Sequence, residues 1–294
     1  MNVKALCTVG RVSNLPTIWT NVLAAAILAN STFAQPWLWA GTLLALSLMY
    51  LGGMFLNDAF DADWDQQNNN ERPIVTGDIS LKTVWTVGIV LTVVAVVLVA
   101  LLYAVGNQSD QGFSAYYGLF AACALALTIV AYNLWHKQFA HSAFIMGGCR
   151  LGVYLIAALL LAQLNLIVVL AALSLLFYIA GLTYLARHEQ QNRLARLWPL
   201  VLLFSPVILT LVVGELQPFY WLYLVGYVAW VVSRLALVIM NDKPNVKACI
   251  GGLLAAIPLL DGLMLASVRA VIPSLICLMV FFTIPFLHRW VSGT

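Results

Sequence analysis

A chain of 294 residues that is 63% hydrophobic and only 9% charged has too few polar side chains to clothe a water-soluble globule, and it reads as a polytopic membrane protein. The net charge of +3 gives no reason to invoke nucleic acid. Cys7, Cys123, Cys149, Cys249 and Cys277 stand far apart, mostly inside apolar runs, and His136, His141, His188 and His288 have no ligand spacing, so neither a disulfide framework nor a zinc pattern is present.

Apolar stretches that approach the roughly 20 residues of a bilayer span run over 15–33, 36–56, 82–105, 113–135, 143–163, 165–186, 196–213, 218–240, 248–267 and 270–290. The expected fold is therefore all-α, one transmembrane domain over 1–294 with nine or ten spans, the last two being the least distinct. Alternating the spans puts Lys4, Arg11, Arg72, Lys82, Lys137, Arg187, Arg193, Arg196, Lys243, Lys247 and Arg289 on one side and Arg269 alone on the other. Basic residues gather on the cytoplasmic side of membrane proteins, so both termini and the loop after the second span are expected there.

The first span carries Asn14, Thr17 and Asn21 at i, i+3 and i+7, a polar stripe that needs either a neighbouring helix or a cavity. After the second span, six of the chain's 11 acidic residues (Asp58, Asp61, Asp63, Asp65, Glu71 and Asp78) fall within about two dozen positions. If the helix continues at about 100° per residue, Asn57, Asp61 and Asp65 lie at roughly 0°, 40° and 80°, with Asp58 near 100° and Asp63 opposite, near 240°. Carboxylates crowded on one face repel unless a cation joins them. Hard oxygen ligands suit magnesium, which is often shared with a substrate phosphate. Arg72-Pro73 follows, where the proline keeps Arg72 extended and the guanidinium fork can meet a diphosphate. Ser80 then reads as the N-cap of the third span.

The sequence Asn57-Asp58-x-x-Asp61-x-x-x-Asp65, then Arg72-Pro73 and Gly77, resembles the first aspartate-rich motif of the UbiA superfamily of intramembrane prenyltransferases, and the hydrophobic layout extends the resemblance over most of the chain. The resemblance implies a bundle enclosing a central cavity. It also implies prenyl transfer from an allylic diphosphate to a small hydrophobic acceptor, with Mg2+ held by Asn57, Asp58, Asp61 and Asp65. Asp61, Asp65 and Arg72 would be catalytic. Arg11 with Asn14 resembles the entry of the family's first helix.

Tyr132 with Lys137 resembles the family's Tyr-Pro-x-x-Lys helix end, one residue longer and without the proline, which makes Lys137 a diphosphate contact by resemblance. Arg150 and Arg234 lie within spans at matching depth, on the order of 10 Å from the basic side, and suggest one shared polar cavity. Gly147-Gly148 should let a neighbouring helix approach closely. The family's second motif, Asp-x-x-x-Asp, has no counterpart in Tyr184–Arg193. Glu189 is the one carboxylate there, and the change resembles the UbiA-like branch of EboC-type proteins. Arg11, Asn14, Lys137, Arg150, Arg187 and Glu189 are the substrate-binding candidates, and a non-catalytic protein that binds a prenylated or diphosphate lipid is the competing reading. Asp261, just after Pro258, reads as a kink or interface residue near the outer end of its span.

Overall fold

The computed structural model describes residues 3–68, 72–106, 114–139, 141–187, 197–215, 217–240 and 244–291. The elements, in order, are α1 (Val3–Val9), a 3-10 turn (Val12–Asn14), α2 (Pro16–Leu28), α3 (Pro36–Gln67), α4 (Leu81–Gly106), α5 (Ser114–Trp135), α6 (Ser142–Leu161) and α7 (Leu166–Arg187). A second 3-10 segment (Trp198–Phe204) leads into α8 (Ser205–Val213), followed by α9 (Pro218–Ile239), α10 (Val246–Ala255), α11 (Ile257–Ser267) and α12 (Val271–Leu287). No strand occurs among the described residues.

The expected apolar stretches fall on helical segments of the fold. Among the described residues, seven are long and apolar enough to cross a membrane. The other three, Val12–Leu28, Trp198–Val213 and Val271–Leu287, are shorter. Proline explains the interruptions. Pro199 and Pro206 open the two halves of the 198–213 rod, and Pro258 separates α11 from α10 by removing a backbone donor where one continuous helix would need it.

Helices α3 to α7 pack as sequential neighbours, as short connections require. The chain then returns so that α11 packs on α2, α9 and α12. Every residue of α11 is buried, so it forms the central column rather than a lipid-facing wall. In lipid, helices are held by close packing rather than by differential hydrophobicity. A methyl group added at Gly147 would strike the backbone carbonyl of Leu176 on α7, and one at Gly52 would strike Thr92 on α4. These glycines set the close approaches of α3 to α4 and of α6 to α7.

Candidate functional site

Helix α3 does continue through the acidic segment, to Gln67, and the expected phasing follows. Asn57, Asp58 and Asp65 are buried and Asp61 is half-buried, whereas Asp63 is exposed. Three of the inward carboxylates each meet a cation from a different element. Arg11 Nη2 lies 3.4 Å from Asp58 Oδ1 and 3.3 Å from Asn57 Oδ1. Lys137 Nζ lies 2.5 Å and His136 Nε2 3.1 Å from Asp61 Oδ1. Arg72 Nε stands 3.9 Å from Asp65 Oδ2.

Local backbone explains how these groups reach α3. Arg11 sits in the left-handed region at φ 43°, ψ 48°, between α1 and the 3-10 turn, a conformation costly for a side chain with a Cβ. Tyr50 donates its hydroxyl to the Arg11 carbonyl at 3.3 Å, pinning that turn to α3. His136 and Lys137 leave the end of α5 in a turn whose carbonyls, at His136 and Phe139, accept from Arg187 Nη2 together with the Ser142 hydroxyl. Arg187 thus braces the turn that carries His136 and Lys137 toward Asp61. Asn57 Nδ2 donates to Asn133 Oδ1 at 3.1 Å, tying α3 to α5. Asn14 Oδ1 accepts from His288 Nε2 at 2.7 Å.

These groups edge a cavity of about 300 Å³. Arg11, Asn57, Asp61, Arg72, Asn133 and His136 line it at one end of the helices. Met49 and Val153 line it deeper, Met49 being twelve residues, or about 18 Å of rise, before Asp61. Asn14, Tyr50 and Arg150 line it as well. The long apolar shaft below a polar end suits a ligand with a charged head and a hydrocarbon tail.

Of the sequence candidates, Arg11, Asn14, Asn57, Asp61, Arg72 and Arg150 line this cavity. Asp58, Asp65 and Lys137 join it through the ion pairs above, and Glu189 lies outside the described residues. Arg234 is a correction. It stacks on Trp230 at 4.5 Å beside Gly252 and is not among the cavity's lining residues, so depth matched Arg150 and Arg234 while helix rotation separated them. Asp261 is more than a kink: it is fully buried and accepts from Tyr154 Oη at 2.5 Å and Asn21 Nδ2 at 2.8 Å. His136, Asn133 and Tyr50 are site residues that the sequence reading missed. The i, i+3, i+4 spacing of Asn133, His136 and Lys137 was the available signal.

The donor set fits magnesium. Asp58 Oδ2 is a buried acceptor without a hydrogen-bond partner among the described residues, and Asn133 Nδ2 and Arg11 Nε are buried donors in the same condition. Such orphaned atoms are costly unless a ligand completes them. The four expected ligands do not close on a single ion, however. Asn57 and Asp65 are eight residues, about 12 Å of rise, apart, beyond the reach of bonds of about 2.0–2.1 Å to one magnesium. Among the described residues no three His, Cys, Asp or Glu side chains group closely enough to hold a metal by themselves.

Fold and site together define an all-helical, multi-pass membrane protein with a carboxylate and cation cluster above an apolar shaft. Residues 17–249 match the model of the UbiA prenyltransferase family, and the chain belongs to that family. The protoheme IX farnesyltransferase of Oceanobacillus iheyensis is 32% identical over 141 residues, covering 46% of this chain and 41% of the relative. The digeranylgeranylglyceryl phosphate synthase of Sulfurisphaera tokodaii is 29% identical over 102 residues, covering 35% and 37%. The chain therefore spans about two fifths of the length of these curated relatives. A solved structure of digeranylgeranylglyceryl phosphate synthase in membranes is similar in fold, with a TM-score of 0.62, 17% identity and coverage of 92% of this chain and 98% of that one.

Proposed function

We propose that this protein is a magnesium-dependent prenyltransferase that moves an isoprenoid group from an allylic diphosphate to a small, electron-rich, hydrophobic acceptor. The observation that carries the reading is the pairing of Asp58, Asp61 and Asp65, on one face of α3, with cations from three other elements at the polar end of an apolar shaft. A prenyl diphosphate has the same polarity: a multiply charged head and a hydrocarbon tail. The names of the two curated relatives, a farnesyltransferase and a digeranylgeranylglyceryl phosphate synthase, support an isoprenoid donor.

Asn57, Asp58, Asp61 and Asp65 are the residues that would hold magnesium, divided between more than one ion because they do not close on one, and the metal would neutralise charge on the diphosphate oxygens. Arg11, Arg72 and Lys137 supply fixed positive charge as the carbon–oxygen bond breaks and negative charge grows on the departing diphosphate. Arg187 contributes by bracing the His136–Lys137 turn. Glu189 is a further candidate for the same head group. The apolar lining, including Ile129, Met146 and Leu182, excludes water that would otherwise capture the allylic cation. The eleven-to-one bias of basic residues supports a cytoplasmic position for the Asp61 end.

A non-catalytic lipid-binding role is the second reading, favoured by the absence of an aspartate from Tyr184–Arg193. Mass spectrometry of lipids from membranes with and without the protein separates the two. A new prenylated species, absent with the Asp61→Ala variant, is the expected result. Binding of an allylic diphosphate without any such product would favour the second reading.

A further inference from the structure

Below the cation cluster lies a second polar feature, tied to α2 and α11 rather than to the carboxylates of α3. Arg150 Nη1 donates to Thr17 Oγ1 and to Asn21 Oδ1, each at 2.9 Å, which uses both of its hydrogens. Asn21 passes the link on through Nδ2 to Asp261 Oδ2, and Tyr154 holds the other oxygen of Asp261. The carboxylate therefore fixes the guanidinium through an asparagine without covering it. Nε–H and Nη2–H, which point along one edge of the guanidinium plane, have no protein partner among the described residues, and Arg150 lines the cavity.

A paired edge of this kind matches the two oxygens of a carboxylate or phosphate, which accept two parallel hydrogen bonds. An isoprenoid tail offers it nothing. Position agrees with a second head group beside the first: the Arg150 guanidinium sits over the ring of Tyr50 at 5.6 Å, and the Tyr50 hydroxyl in turn reaches the Arg11 carbonyl at 3.3 Å, so Tyr50 stands between Arg150 and the cation cluster. A diphosphate held at the level of Asp61 would leave the Arg150 edge to a second, small head group.

We propose that Arg150 is the acceptor-recognition residue, and that the acceptor carries a carboxylate or phosphate which docks on its Nε–Nη2 edge, held in place by Asn21 and Asp261. The word acceptor rests on the prenyl-transfer reading; the anion site itself does not.

The test uses the full-length protein in nanodiscs with saturating magnesium and pyrophosphate, so that the upper cations are occupied. Saturation-transfer NMR measures the affinities of benzoate, phenyl phosphate and the neutral benzamide. At least one anion should bind roughly tenfold or more tightly than benzamide, as for hydrogen bonds to a charged group; which one does so identifies the head group. Arg150→Gln should abolish that preference while geranyl diphosphate still binds with magnesium. A wild type without the preference, or an Arg150→Gln protein that keeps it, overturns the proposal. So does loss of geranyl diphosphate binding in a folded Arg150→Gln protein, which would assign Arg150 to the donor. If Arg150→Gln does not fold, Arg150→Lys keeps the charge but lacks the fork, and an undiminished preference there is equally fatal. A wild type that prefers the anion yet never binds geranyl diphosphate would sink the prenyl-transfer reading and leave this site standing.

Discussion

Lys137 Nζ lies 2.5 Å from Asp61 Oδ1, joining the end of α5 to the one inward carboxylate of α3 that also lines the cavity. Asp63, two residues along the same helix, is exposed. The contrast separates local charge from site charge. Asp61→Ala should abolish turnover and magnesium-dependent binding of geranyl diphosphate, whereas Asp63→Asn should change both by less than about 0.5 kcal/mol, as for a surface substitution. Both variants are measured at saturating magnesium. Equal losses would mean that the buried face of α3 has no special role.

Arg11 and Asp58 allow structure and chemistry to be told apart. Asp58 is 2% exposed, and removing Arg11 leaves its charge without its closest cation. Arg11→Met alone should therefore destabilise the protein by roughly 3–5 kcal/mol, the range for breaking a buried pair. Arg11→Met with Asp58→Asn removes both charges and should recover most of that loss without recovering turnover. Thermal unfolding in detergent and a product assay provide the two readings. Recovered activity in the double variant would make this ion pair a packing device only.

Two-dimensional information was legible in the sequence; three-dimensional partnership was not. The period of α3 sorts Asp61 from Asp63 because both belong to one helix, and the apolar stretches fall on helices. By contrast, Arg150 and Arg234 looked alike because depth along a helix can be read from sequence, while rotation about it depends on neighbours. Asn21 and Asp261 are 240 residues apart, so no local pattern could join them. His136 escaped notice because its carboxylate lies on α3, not on its own helix.

Orientation follows from the basic-residue bias and has its own test. In a cysteine-free background, a cysteine at Gln67, exposed at the far end of α3, should react with a membrane-impermeant thiol reagent only from the cytoplasmic side. One at Thr32, exposed between α2 and α3, should react only from outside. Labelling of both from the same side would rule out α3 as a spanning helix, and reversal of the two would invert the topology.

Arg187 is where the fold redirects an expectation drawn from the altered second motif. Its Nη2 donates to the carbonyls of His136 and Phe139 and to the Ser142 hydroxyl, so its action on a diphosphate passes through the α5–α6 turn. A direct phosphate contact and a brace make different predictions in combination. As a brace, Arg187→Ala should weaken binding of geranyl diphosphate by on the order of 1–2 kcal/mol, because the turn then holds His136 and Lys137 less well against Asp61. In a background where His136 and Lys137 are already alanine, the same substitution should cost less than about 0.5 kcal/mol, since the groups it positions are gone. A direct contact would cost the same in both backgrounds. The measurement is magnesium-dependent geranyl diphosphate affinity around the full cycle of variants, and additive losses would return Arg187 to the phosphate.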